Sequence, residues 1–158
     1  MLKVIIHAVP REYPDEPFLN VTKRIANDTK LLDDVIEMQE VSDTEEYKLK
    51  EMQGIVGGLI DILGGQTENG MPVVMVINDE GKLDNLPVNH LATILATDYG
   101  MISKDDYIVG DVLLAYDTGD TVRPFTDKEY LSLFLSDRLL QYKLFLIVNM
   151  NDAYKHFS

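Results

Sequence analysis

The sequence predicts an α+β fold in a single domain of 158 residues. Three observations lead to this prediction. Short apolar runs alternate with turn-forming residues, two segments carry helix-capping signals, and neither a regular β-α-β alternation nor an internal repeat is present. This mixture favours a mixed, mostly antiparallel sheet of about five or six strands with two main helices packed on one side.

Six segments are predicted to be strands, because they are rich in Val, Ile and Leu and most are bounded by turn residues. The run 72–77 is apolar at every position, which is typical of a central strand covered on both faces. Gly64-Gly65 is predicted to begin a loop. The predicted strands are 2–8, 35–41, 59–63, 72–77, 105–116 with a kink or bulge at Gly110, and 143–148.

Two capping boxes predict where the main helices begin. In this motif the hydroxyl of Ser or Thr accepts from the third N–H of the helix, and a glutamate there accepts from the capping residue's own N–H. Ser42 to Glu45 fits the pattern for a helix that Gly57-Gly58 would end, and Thr126 to Glu129 fits it for the second. Asn89 is predicted to cap a short helix over 90–97.

The composition is strongly acidic and free of cysteine. Asp and Glu number 27 against 14 Lys and Arg, which gives a net charge of −13. Such a charge repels nucleic acid and anionic membranes and attracts basic protein surfaces, although solubility alone is an alternative explanation. The absence of cysteine excludes disulfides and thiolate chemistry. With no long apolar run and no signal-peptide pattern at the start, we expect a cytoplasmic protein.

No motif indicates an enzyme. His7, His90 and His156 are not paired at the spacing of metal ligands, and no phosphate-binding glycine loop is present. Asp117-Thr118-Gly119 matches the aspartic-protease triplet, but the adjacent Asp120 and a simple hairpin turn argue against that interpretation. We therefore expect no catalytic residues, no metal site and no cofactor.

Several segments, in order, carry a family resemblance. They are Met52 to Ile60, Val76 to Leu83, Leu86 to Asn89, and Tyr107 to Val112. Together they resemble the domain of unknown function 3846, a family of small proteins of phages and mobile elements. The resemblance covers roughly residues 35–140, and it implies a genetic context rather than a reaction. Residues 10–34 are then interpreted as an insertion, and 141–158 as a C-terminal strand and tail.

Two kinds of binding site are predicted. Acid concentrates over residues 28–51, where nine acidic residues stand against three lysines. This stretch is the predicted contact with a basic partner, at Asp33, Asp34, Glu37, Glu40, Asp43, Glu45 and Glu46. The alternative is a small-ligand pocket of nucleotide type at Asn78, Leu86, Pro87, Asn89 and His90.

The leading functional hypothesis is a non-enzymatic accessory protein of a phage or mobile element that binds a host protein. Its most concrete form is inhibition of a defence nuclease by an acidic surface that mimics nucleic acid. A homodimer is left open. The small-ligand-binding module is the second hypothesis, and neither hypothesis involves direct binding to nucleic acid or membrane.

Overall fold

The computed structural model of the protein describes residues 1–9, 35–41 and 46–134. Six strands and three helices are found in these ranges, numbered here in chain order. The strands are β1 (Leu2–Ile6), β2 (Ile36–Glu40), β3 (Ile60–Gln66), β4 (Pro72–Asn78), β5 (Val112–Asp117) and β6 (Val122–Arg123). The helices are α1 (Leu49–Val56), α2 (His90–Asp98) and α3 (Asp127–Phe134).

All six strands belong to one sheet, in the order β2-β1-β5-β4-β3, and β6 pairs with the end of β5. Every strand pair is antiparallel, including β1 with β5, where Val4 lies opposite Leu114. The predicted α+β class and mostly antiparallel sheet are therefore confirmed. The run 72–77 falls in β4, which lies between β3 and β5 as predicted for a central strand.

The sheet is covered by helices on both faces. One core joins α2 and α3 to side chains such as Val4, Met75 and Leu114. A second core joins α1 to the alternate positions, among them Val74 and Leu113.

The placement of the two main helices differs from the prediction, because α1 and α3 lie on opposite faces. The physical reason is that β4, β5 and residues 4–6 of β1 are apolar at successive positions, so both faces of the sheet have to be buried there.

The helix ends agree in part with the capping signals. The N–H of Glu129 donates to Thr126 Oγ1 (3.1 Å) and the N–H of Thr126 donates to Glu129 Oε1 (2.8 Å), which confirms the second capping box. Asn89 caps α2 as predicted. By contrast, α1 begins at Leu49 after Lys48, whose side chain makes no capping bond, and Ser42 to Glu45 lie outside the described residues.

Two strand boundaries differ from those expected, and one short strand is additional. β3 continues through Gly64-Gly65, which the sequence assigned to a loop. Residues 105–111 form no strand, and β5 begins at Val112 after Gly110, whose φ is +75°. The short strand β6 was not predicted. The predicted strand 143–148 and the inserted segment 10–34 lie outside the described ranges.

A search of the described helices finds none with the length and apolar character needed to cross a membrane.

Candidate functional site

An open groove of about 230 Å³ lies beside the edge strand β3, on the face that carries α2. Strand β3 contributes Asp61, the turn after β4 contributes Asp79 and Lys82, and the loop before β5 contributes Asp106 and Tyr107. The antiparallel pairing of β3, β4 and β5 brings these three chain segments together at one end of the sheet.

The charge in this groove is negative, because three aspartates line it against one lysine, and that lysine is already paired. Lys82 Nζ lies 2.5 Å from Asp106 Oδ1 and 4.3 Å from the centroid of the Tyr107 ring. The hydrogen bond from Lys82 lowers the pKa of the Asp106 carboxyl. Within the described part of the chain, neither Asp61 nor Asp79 forms an ion pair, so two carboxylates stay available for a basic group.

Exposed apolar side chains border the acidic groove. Leu83, which lines it, is 82% exposed, and Tyr107 is 44% exposed. Apolar side chains mixed with charged groups on an accessible surface are typical of protein-protein contacts. Pockets that enclose drug-sized ligands are larger, at about 300–1,000 Å³, and mostly apolar. The groove therefore suits part of a polypeptide better than an enclosed small molecule.

A second polar cluster, at the end of β1, surrounds His7. His7 Nδ1 lies 2.9 Å from Asp111 Oδ2, and His7 Nε2 lies 2.9 Å from Glu37 Oε1. The bond to Asp111 raises the pKa of His7, partial burial opposes this, and the bond to Glu37 adds to it, so that the pKa lies above its ordinary value. Burial would raise the pKa of Asp111, but its bonds from His7 and from the N–H of Ala8 outweigh burial and lower it.

This cluster fastens strands together and is poorly suited to catalysis. A protonated imidazole with both N–H groups donating to carboxylates has no lone pair left to accept a proton as a general base. In the ranges that the structure describes, no group of three or more His, Asp or Glu side chains is arranged to hold a metal ion. The His7 cluster joins β1, β2 and the residue before β5, which is a structural role.

The five residues predicted to bind a small ligand are only partly brought together. Asn78 lies at the groove, but its Nδ2 donates to the Val56 carbonyl (3.1 Å) and its Oδ1 accepts from the N–H of Glu80 (2.9 Å). Leu86, Pro87, Asn89 and His90 are not among the residues that line the groove. A ligand site at these five positions stays a prediction.

Asn89 is instead a buried structural residue with no exposed surface. Its Oδ1 accepts from the N–H of Ala92 (3.0 Å), and its Nδ2 donates to the carbonyls of Ile6 and Gly110 (both 2.9 Å). The Pro87 carbonyl accepts from the N–H of Gly110 (2.8 Å), and burial lowers the pKa of His90. The segment thus ties α2 to β1 and to the loop before β5.

The predicted acidic partner surface is only partly described. Glu37 bonds to His7, whereas Glu40 and Glu46 are exposed. The remaining four residues, Asp33, Asp34, Asp43 and Glu45, lie outside the described ranges. Their contact with a partner stays a prediction.

Of the groove residues, only Asn78 had been predicted from the sequence to bind a ligand. Asp79 and Asp106 belong to turns far apart in the sequence, and no spacing rule indicates that these turns meet. Only the order β3-β4-β5 in the sheet places them together, and a signal for that order would have been needed to find the groove.

The sequence profile of the family described as "Domain of unknown function (DUF3846)" matches residues 31–135. The chain belongs to this family. The matched DUF3846 region contains every groove residue named above, together with Glu37 and Asp111, while His7 precedes it. Neither a curated protein nor a solved structure matches the chain.

Proposed function

We propose that this protein is a non-enzymatic binding protein whose acidic groove engages a basic surface of a partner protein. The observation that carries this proposal is the pair of carboxylates at Asp61 and Asp79, which no described cation neutralises, beside the exposed Leu83. Lysine or arginine side chains of a partner would pair with the carboxylates, and its apolar side chains would cover Leu83.

The charge of the surrounding surface supports the same proposal. The described residues hold 17 of the 27 acids and seven of the 14 bases, so that −10 of the net charge of −13 belongs to them. A field of this sign raises the association rate with a basic partner and disfavours nucleic acid.

The biological setting is a further part of the proposal. On the basis of the resemblance to small phage and mobile-element proteins, we propose an accessory protein that acts in the host cytoplasm. A defence nuclease is the most specific partner class, because its nucleic-acid groove is basic and an acidic protein surface competes for it.

Charge reversal tests the proposal. The double variant D61K/D79K should lose a basic partner that the wild-type protein retains from a lysate of the cells carrying the gene. Retention should also fall between about 50 and 300 mM NaCl, because salt screens contacts between exposed charges.

Two matched double variants complete the test, each with the same change in net charge. D120K/D127K alters acids at the opposite end of the sheet and should retain the partner. E40K/E46K tests the surface predicted over residues 28–51. A basic protein that D61K/D79K retains as well as the wild type would show that the groove is not the contact.

A further inference from the structure

The outer edge of β3 has no neighbouring strand among the described residues. In an antiparallel pair, alternate residues turn their backbone groups toward the partner strand. The Leu59 carbonyl accepts from the N–H of Asp79 (2.8 Å) on the β4 side, whereas the N–H of Gln66 donates outward to the Tyr99 carbonyl (3.1 Å). Odd-numbered residues of β3 therefore bond to β4, and even-numbered residues present their backbone groups at the outer edge.

Among the described residues, another chain segment covers these outward groups at one end of the strand only. At Gln66 the Tyr99 carbonyl closes the edge, and it approaches so near that a Cβ on Gly65 would lie 2.3 Å from it. The N–H of Ile62 donates to its neighbour Asp61 Oδ1 (2.9 Å). For the N–H of Gly64 the structure records no acceptor in the described ranges, and nothing lies within 4 Å of where its side chain would be.

The two faces beside this edge differ in chemistry. Asp61 points to the groove face, together with Leu63. Ile62 points to the opposite face and is 43% exposed. A strand placed next to β3 would therefore meet a carboxylate on one face and an apolar side chain on the other, and directly opposed side chains in neighbouring strands interact.

We propose that the outer edge of β3 binds an extended segment of the partner protein, in which basic residues alternate with apolar ones. The segment adds a strand to the sheet through the backbone groups of residues 60–64. Its basic side chains lie toward Asp61 and its apolar side chains lie toward Ile62. This mode of recognition combines main-chain hydrogen bonds with selection at alternate positions. The inference rests on the proposed function, since it specifies the conformation of the basic partner.

The test uses the full chain and a defined probe, an end-blocked peptide of about nine residues in which lysine and valine alternate. Gly64→Pro removes the outward N–H and fills the edge, while the donors that pair β3 with β4 stay intact because they belong to odd-numbered residues. Gly64→Ala is the matched control, because it keeps the N–H and its added Cβ meets no atom within 4 Å. Binding is measured by calorimetry at about 50 mM NaCl.

We expect G64A to bind the peptide as the wild type does and G64P to bind at least about tenfold more weakly. A peptide of the same composition, with its lysines in one block, should also bind more weakly than the alternating one. In the wild-type complex, hydrogen exchange at the Gly64 amide should slow by about tenfold or more, because that N–H gains an acceptor. This last measurement decides the question even where G64P does not fold.

The possible outcomes separate the two proposals. If D61K/D79K loses the peptide while G64P binds it and Gly64 exchange is unchanged, the groove binds by charge alone and strand addition is wrong. If D61K/D79K binds the peptide as the wild type does, the groove is not an electrostatic binding site and the proposed function is overturned as well.

Discussion

His7, which follows β1, bonds to a carboxylate of β2 and to the carboxylate just before β5, and its charge state determines the strength of these bonds. Because the pKa of His7 is raised in the folded protein, folding favours its protonated form. The stabilisation is fully present below the unfolded pKa of about 6.5 and is lost as the pH rises through the higher folded value. Asp111 has a lowered pKa, so its contribution is present at neutral pH and is lost in acid.

His7→Gln is expected to lower the free energy of unfolding by about 2 kcal/mol near pH 6, where the charged ring donates to both carboxylates. The difference from the wild type should narrow toward about pH 9, as the wild-type ring loses its proton. Urea unfolding of both proteins across this range measures the difference, in which the contributions of other groups cancel. A difference that is constant or that widens with pH would contradict this stabilising role of the protonated His7 ring.

At the residue scale, the sequence predicted bonds between residues close in the chain, but not the bonds of the same side chains to distant residues. Asn89 was predicted to cap a helix, and the Oδ1 bond to Ala92, three residues away, confirms it. The same side chain donates to Ile6, 83 residues away, and no periodicity indicates such a bond. The carboxylate partners of His7 could not be identified from the sequence either, because they are set by strand register.

At the scale of the elements, the beginning of α3 is fixed by two sets of side-chain bonds. Besides the capping box, Glu129 accepts from both terminal nitrogens of Arg123 at 2.9 and 3.0 Å, and the Arg123 guanidinium lies 4.0 Å from the centroid of the Tyr116 ring. One glutamate thus serves the helix start and also connects it to β6.

Thr126→Ala should destabilise the protein by about 1 kcal/mol, because the N–H of Glu129 loses its acceptor at the helix start. Ser132→Ala is the matched control on the same helix. Its hydroxyl donates to the Lys128 carbonyl, which the helix already engages, so its removal should change the unfolding free energy by less than about 0.5 kcal/mol. Thermal or urea unfolding gives both values, and equal losses in the two variants would show that the box adds nothing.

Elements with a local signal could be predicted from the sequence, and those stabilised by tertiary contacts could not. The starting points of α2 and α3 follow from Asn89 and Thr126, whose side chains bond within one helical turn. The predicted strand ended before Gly64, because glycine by itself disfavours a strand. Pairing with β4 along the whole segment keeps the glycines extended.

For the whole molecule, repulsion among its own acidic groups is the contribution to stability that solution conditions change most directly. The net charge of −13 opposes compaction, and salt screens repulsion between exposed carboxylates. Raising NaCl from about 10 to 200 mM should therefore raise the melting temperature by a few degrees.

The comparison protein for this salt effect is D61K/D79K, which is four charge units less negative. It should melt at a higher temperature than the wild type at low salt and gain less from added NaCl. Differential scanning calorimetry on both proteins tests the expectation. A wild-type melting temperature that falls or stays constant with salt would mean that the acids are too far apart, or too well paired, to destabilise the fold.

The position of β1 inside the sheet determines the order in which the molecule can be assembled during synthesis. Strands β3 and β4 are joined by a short turn, so they can pair as soon as both have emerged from the ribosome. Strand β1 can pair early with β2, but its other edge has to wait for β5, because Val4 pairs with Leu114, 110 residues later. Contacts so distant in sequence form slowly, and the apolar side chains of β1 stay exposed meanwhile. The nascent chain is thus most vulnerable to aggregation just before Val112–Asp117 is released, when nearly everything else that the sheet needs has already been made.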